Sequence, residues 1–239
     1  MSTFWKDTIP TGYYDNVVGN KKYGLASIQA NWHKITFENV KKFINPSDKI
    51  LDYACGSGNF LGSFENLSNC SIGVDISAKQ INYANDKYGD SAKFIKLNNF
   101  DINSYTGKFN SITCLGLIEF IDKVEVNELI EKFYLCLKPG GRLIITTPNF
   151  TFIMKTLETI LNKYGEVNYE NEYKNRFINR EIKNLFSDTV FNKVQIKKII
   201  TPLVFLSFFG NELGFKINSI FEKIFKNRFG FLFLIVLQK

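Results

Sequence analysis

Histidine is nearly absent from this chain of 239 residues: His33 is the only one, and there are four cysteines, Cys55, Cys70, Cys114 and Cys136. No two cysteines fall at the short spacing of a zinc site, and a single histidine cannot complete a ligand set with them, so no metal is expected. Three of the cysteines sit in apolar strand or helix patterns and read as reduced core thiols, which points to a cytoplasmic protein. Long hydrophobic runs are missing too. The longest, Pro202–Phe209 and Phe231–Leu237, fall far short of the ~18–20 residues that cross a bilayer. The polar opening Met1–Pro10 lacks the apolar stretch of a secretory signal. These absences exclude a spanning helix but leave room for peripheral contact with a membrane.

What the chain does have is apolar and basic material. Hydrophobic residues make up 45%, aromatic residues 15%, and 24 of the aromatics are Phe, enough for a sizeable core in one domain with a modest appendage. The net charge of +7 is unevenly placed: residues 1–150 carry 16 basic and 15 acidic side chains, residues 151–239 carry 14 and 8. The basic C-terminal third is either a solvated lysine-rich face or a surface for anionic partners.

Patterning divides the chain into a Tyr/Gly/Asn-rich irregular arm over 1–26, a helix over 27–44, and then short apolar strands alternating with helices up to residue 147. Strands are expected at 49–53, 70–74, 92–97, 109–115 and 142–147. Helices are expected at 59–68, from a Ser77 cap to Tyr88, and over 124–137. That alternation predicts parallel βαβ units with helices on both faces. Beyond 150 the pattern loosens: a helix near 152–161, a polar loop over 162–179, a short helix at 180–186, strands at 190–200 and 231–237, and a helix over 211–225 with Leu213, Ile217, Ile220, Phe221 and Ile224 on one side.

The most informative stretch is Ile50-Leu51-Asp52-Tyr53-Ala54-Cys55-Gly56-Ser57-Gly58-Asn59. An apolar strand ends in an acid, small residues follow, and a helix begins. Small residues let the backbone pass close to a ligand, and the helix start offers free N–H groups. The turn lies at the carboxyl end of the first strand, where open α/β sheets bind ligands. A dinucleotide fingerprint would need a third glycine where Leu61 stands, and the Gly-Lys-Ser/Thr of a P-loop is missing. Asp75 follows at the end of the next strand, in Ile72-Gly73-Val74-Asp75-Ile76-Ser77. At that distance a carboxylate suits a ribose diol, and it can equally cap the next helix.

These residues resemble motif I and the acidic second-strand end of the class I (Rossmann-like) S-adenosylmethionine-dependent methyltransferases, with Ala54 in place of the usual first glycine. Phe109–Phe120 and the turn Leu137-Lys138-Pro139-Gly140-Gly141 are similar to further marks of the family. The resemblance implies a seven-stranded, mostly parallel sheet with helices on both faces and a reversed last strand. It divides the chain into an arm and helix over 1–45 covering the cleft and a methyltransferase domain over 46–239, with its cofactor core at 49–147 and an acceptor-side insertion at 151–228. It implies S-adenosyl-L-methionine as cofactor, with Asp52, Tyr53, Ala54, Gly56 and Gly58 in the loop, Asp75 and Ile76 at the ribose, Asn98 or, in another alignment, Asn99 or Asp101 at the adenine, and Leu115 and Gly116 along the methionine moiety.

The acceptor is less defined. His33 is the one side chain with a near-neutral proton affinity, and it is either the general base or a packing residue. Tyr14, Trp32 and Asn149 are expected to line the acceptor side. No Asn/Asp-Pro-Pro-Tyr/Phe motif follows the fourth strand, which counts against a nucleobase acceptor and hence against nucleic acid as partner. The looser resemblance of the layout to methyltransferases of bacterial surface-polysaccharide clusters suggests a small molecule or glycan precursor, methylated on a sugar hydroxyl. A quinone or other lipid, an RNA or protein, and a non-catalytic cofactor-binding module remain as alternatives. The aromatic, lysine-bearing C-terminal third reads as core plus a homodimer face, or as an interfacial patch against lipid.

Overall fold

A computed structural model describes residues 3–19, 23–67, 70–164 and 167–239; parts of the expected arm and the end of the expected 59–68 helix lie outside these. The sheet is built from β1 (Ile50–Tyr53), β2 (Ile72–Asp75), β3 (Lys93–Lys96), β4 (Phe109–Leu115), β5 (Leu137–Pro148), β6 (Lys193–Ile199) and β7 (Leu232–Gln238). Its seven strands run in the order β3-β2-β1-β4-β5-β7-β6. The first five are parallel, and β7 enters antiparallel between β5 and β6, Ile144 facing Val236 and Val194 facing Leu237. The reversed strand is therefore the last one in sequence.

The central strands read as continuous apolar runs because both faces of the sheet are covered. One layer packs α5 (Lys123–Cys136) and α7 (Asn179–Leu185) against the sheet through Val126, Ile130, Phe133 and Ile182. The other layer brings α2 (Leu25–Lys41), α4 (Ala78–Tyr88) and α6 (Phe152–Tyr164) onto the opposite face through Ile35, Val40, Ile81, Ala84 and Leu157.

Several sequence expectations need correction. The arm is not irregular where it is described: Phe4–Thr8 forms a π-helical turn and α1 spans Tyr13–Val18. The helix after β1, α3 (Asn59–Gly62), is a single turn. Ser77 is the N-cap residue of α4 as expected, but not through its side chain: its hydroxyl has no partner, and the Asp75 carboxylate accepts the Ser77 N–H at 2.8 Å.

The helix α8 (Asn211–Ile224) turns much of its apolar stripe outward. Leu213, Ile220 and Ile224 are 49%, 54% and 62% exposed, whereas Gly214, Asn218 and Glu222 are buried. The inward face is polar because the chain leaving β6 needs partners. Thr201 donates its N–H and hydroxyl to Asn218 Oδ1, and Ile200 N–H donates to Glu222 Oε1 at 2.7 Å. Buried donors left without acceptors would cost more than the apolar contacts forgone.

Candidate active site

The carboxyl ends of β3, β2, β1, β4 and β5 form one rim, and a cavity of about 300 Å³ opens above it. That is the low end of the size range of small-molecule sites, ~300–1,000 Å³. The wall follows the sheet order: Leu97 after β3, Asp75 and Ile76 at β2, Asp52 to Gly56 at β1, Leu115 to Leu117 and Glu119 to Ile121 after β4, and Pro148 at β5.

The loop after β1 takes a tight path. Ala54 stands at φ 64° in the left-handed region, where the usual glycine would be unstrained. Gly56 also has positive φ, and a Cβ there would meet the Tyr14 ring at 2.6 Å, so only glycine lets the arm lie over the loop. Gly56 N–H donates to Asp75 Oδ2 at 3.0 Å. With the Ser77 bond, both Asp75 oxygens hold backbone N–H groups of the two motif loops while the side chain lines the cavity. Burial raises the Asp75 carboxyl above the ordinary range, and the Ser77 and Gly56 N–H groups oppose that. Asp52 is buried and accepts the Thr113 hydroxyl at 2.6 Å; burial pushes its carboxyl up to about 7.

The arm closes the opposite wall. Asp15 on α1 binds the Tyr83 and Tyr88 hydroxyls at 2.6 and 2.7 Å and pairs with Lys87, all on α4. Asp15 N–H donates to Ser57 Oγ at 3.0 Å, and Asn59 donates to the Tyr14 carbonyl at 3.0 Å, so the motif loop itself holds the arm. Tyr14, Trp32 and His33 all line the cavity. The His33 ring sits between Tyr14 and Phe37, with centroids 6.4 and 6.2 Å away, and burial lowers it to about 4, so it is neutral at pH 7.

Several expected site residues fall elsewhere. Gly58 is absent from the wall; a Cβ on it would meet the Phe94 ring at 2.7 Å and Ala84 at 2.8 Å, so its smallness serves packing beneath the loop. Asn98 and Asn99 are exposed on a 3-10 turn, and Leu97 faces the cavity in their place. Asn149 is buried but turns away, donating to the Gly230 carbonyl at 2.9 Å and tying β5 to the start of β7.

The structure also brings in residues that sequence reasoning missed. The polar stretch after α6 folds back over the end of β4. Asn175 donates to the carbonyls of Ile118 and Ile121 at 3.1 and 2.6 Å, and Lys174 and Asn175 N–H groups donate to the Glu119 carbonyl. This fixes an aromatic box: Trp5 packs edge-on to Phe120 at 4.6 Å and stacks on Tyr169 at 5.9 Å, and Phe120 stacks on Tyr173 at 4.9 Å. Two buried carboxylates, Glu119 and Glu158, join these rings on the wall. Glu119 is raised by burial to about 8. Only the density of Tyr and Glu within 158–173 hinted at these partners; their meeting is a matter of chain path.

Comparison with known proteins agrees with this architecture. A family model described as "Methyltransferase domain" matches residues 28–196. The chain is 29% identical over 150 residues to a tRNA U34 carboxymethyltransferase of Campylobacter fetus subsp. fetus, covering 60% of this chain and 51% of that protein. It is 26% identical over 166 residues to a ubiquinone/menaquinone biosynthesis C-methyltransferase of Wigglesworthia glossinidia brevipalpis, covering 63% and 65%. The chain thus spans between half and two thirds of the length of these curated relatives. Among solved structures, a magnesium protoporphyrin IX methyltransferase from Synechocystis with bound S-adenosylhomocysteine superposes with TM-score 0.63 at 16% identity, covering 99% of this chain and 96% of that one. A SAM-dependent methyltransferase from Archaeoglobus fulgidus superposes with TM-score 0.61 at 20% identity, covering 87% and 93%. With the family model spanning well over half of its length and seven strands in the order β3-β2-β1-β4-β5-β7-β6, the chain belongs to the methyltransferase-domain family and has the Rossmann-like fold of its S-adenosylmethionine-dependent members.

Proposed function

We propose that this protein transfers the methyl group of S-adenosylmethionine to a small-molecule acceptor enclosed beneath its N-terminal arm. The observation that carries the reading is the cavity itself: one end offers Asp75, Asp52 and the Gly56 turn, and the other is an aromatic box of limited size. The residues present fit the cofactor. Asp75 has lone pairs left for ribose hydroxyls after its two backbone bonds. Asp52 is a buried carboxylate that a cationic amino group would return to its charged form. Ile76 and Leu97 supply apolar surface for a base. When bound, the cofactor supplies an electrophilic methyl carbon; the protein's share is position, orientation and a dry site.

Enclosure favours a small acceptor over RNA or protein, because the arm and the 167–177 segment wall off the box from both sides. The basic excess does not reach the site, for no Lys or Arg is among the described residues of the cavity wall. A sugar hydroxyl, the acceptor expected from the sequence, gains little from this wall. A sugar presents several hydroxyls, each needing a partner, whereas the box offers mainly rings. A compact or planar acceptor with one reacting group fits better.

A second observation bears on where the protein works. Phe208, Phe209, Leu213, Ile220, Ile224 and Phe229 are 47% or more exposed, alongside exposed Lys216, Lys223, Lys226 and Arg228. Apolar side chains flanked by cations suit an anionic lipid surface, so we place this face against a membrane. No helix among the described residues is long and apolar enough to cross one.

Calorimetry with S-adenosylhomocysteine tests the cofactor site, and incubation of cell extract with labelled S-adenosylmethionine tests the acceptor class. Saturable binding and label in the small-molecule fraction are expected. Label confined to RNA or protein, or no binding of S-adenosylhomocysteine, overturns the proposal.

A further inference from the structure

Glu119 is 3% exposed and Glu158 7%, yet Glu119 Oε2 and Glu158 Oε1 have no hydrogen-bond partner, and both side chains line the cavity. Isolated carboxylate oxygens are seldom buried without partners, because the lost hydration is costly. Their surroundings offset that burial only in part. The Tyr173 hydroxyl, the exposed Arg176, which stands 5.5 Å from the Tyr173 ring centroid, and Lys155 favour the charged form of Glu158, and Glu170 opposes it. Glu119 has its own backbone N–H and the Thr147 hydroxyl in its favour and Glu158 as a like charge against it, with no cation. The rings of Trp5, Phe120, Tyr169 and Tyr173 close the same space, and ring faces attract cations.

From this geometry we infer that the acceptor is a small amine, held as its ammonium form between the aromatic box and the Glu119–Glu158 pair, with Glu119 as the group that takes its proton. The inference rests on the methyltransferase reading and narrows it. Binding of the ammonium expels to solvent the proton that Glu119 holds without it; the ammonium then gives one proton to the Glu119 carboxylate at Oε2, which frees the nitrogen lone pair. The N–C bond then forms as the methyl carbon's bond to sulfur breaks, with that electron pair remaining on sulfur. The product leaves as a methylated ammonium, and Glu119 returns its proton to solvent. A proton affinity raised to about 8 suits such exchange near neutral pH better than His33 at about 4. Carboxylate or phosphate at the reacting end would meet two acids and no base.

The test is calorimetry on the full chain saturated with S-adenosylhomocysteine, using three probes that share a ring: 2-phenylethylamine, 2-phenylethanol and 3-phenylpropanoate. The amine is expected to bind at least ~10-fold more tightly than the alcohol, with no measurable binding of the carboxylate, and its binding should release protons that two buffers of different ionisation heat reveal. Glu119→Gln should weaken the amine ~10-fold or more and abolish the proton release while leaving S-adenosylhomocysteine affinity intact; Glu158→Gln should weaken the amine less. The inference is overturned if the carboxylate binds as well as the amine, if no probe is preferred or bound, or if Glu119→Gln changes nothing for the amine. Failure of the wild-type chain to bind S-adenosylhomocysteine at all would instead remove the methyltransferase reading beneath it.

Discussion

Replacing Asp75 by Asn separates a ligand-binding carboxylate from a mere helix cap. In the folded chain its two oxygens accept Gly56 N–H at 3.0 Å and Ser77 N–H at 2.8 Å. An amide of the same shape has one acceptor oxygen, so one N–H would face an NH2 group. A charge-assisted bond of this kind contributes ~1.5–3 kcal/mol. For a domain of this size, where 1 kcal/mol shifts the midpoint by ~2–4 °C, the ligand-free unfolding temperature should fall by roughly 3–12 °C. The ribose contact is lost as well, and ~1.5–3 kcal/mol there corresponds to a ~10- to 100-fold weaker Kd. Calorimetry with S-adenosylhomocysteine at 25 °C, on protein shown to be folded, reads the second effect apart from the first. A variant with the lower unfolding temperature and an affinity within twofold of the wild type would refute the reasoning, because Asp75 would then hold the loops and nothing else.

Other outcomes follow from the same geometry. Asp52 and Glu119 have folded-state proton affinities raised by burial, to about 7 and about 8, above ordinary values of 3.8 and 4.5. Through these two groups the folded chain binds more protons than the unfolded chain between about pH 4 and 8, so stability falls as pH rises through that window; His33, lowered from 6.5 to about 4, opposes them below about pH 6.5, one group against two. The ligand-free unfolding temperature should be higher at pH 5 than at pH 8, less so in Glu119→Gln; a midpoint that is level or climbs from pH 5 to 8 contradicts this. Asn149→Ala should cost ~1–3 kcal/mol in denaturant unfolding, since the Gly230 carbonyl loses its buried donor, and leave cofactor affinity unchanged; altered affinity would return Asn149 to the site. His33→Ala should leave S-adenosylhomocysteine binding within a few-fold of the wild type, and a tenfold loss would show that its ring shapes the cofactor end. Flotation with phosphatidylglycerol vesicles should carry the wild-type chain, and Ile220→Glu with Ile224→Glu should release it; equal flotation on neutral vesicles would remove the electrostatic part of the membrane proposal.

The order of strands and helices, the loop from Asp52 to Gly58, the acid at Asp75 and the reversed strand near the C-terminus were determined by the sequence alone. Each is local: an apolar run, a turn that small residues permit, or an acid at a strand end, set in neighbouring elements by short connections. The acceptor end is different. Trp5, Glu119, Glu158 and Tyr169 come from four separate stretches, and their meeting depends on Asn175 clamping the 118–121 turn and on Asp15 holding the arm to α4. Tertiary structure also decided which face of α8 is buried, because Asn218 and Glu222 had to satisfy the Ile200 and Thr201 N–H groups. It turned Asn149 away from the cavity for the same reason, to meet a buried carbonyl. Periodicity reports what is apolar; which polar atoms must be paired inside is known only once the chain has closed on itself.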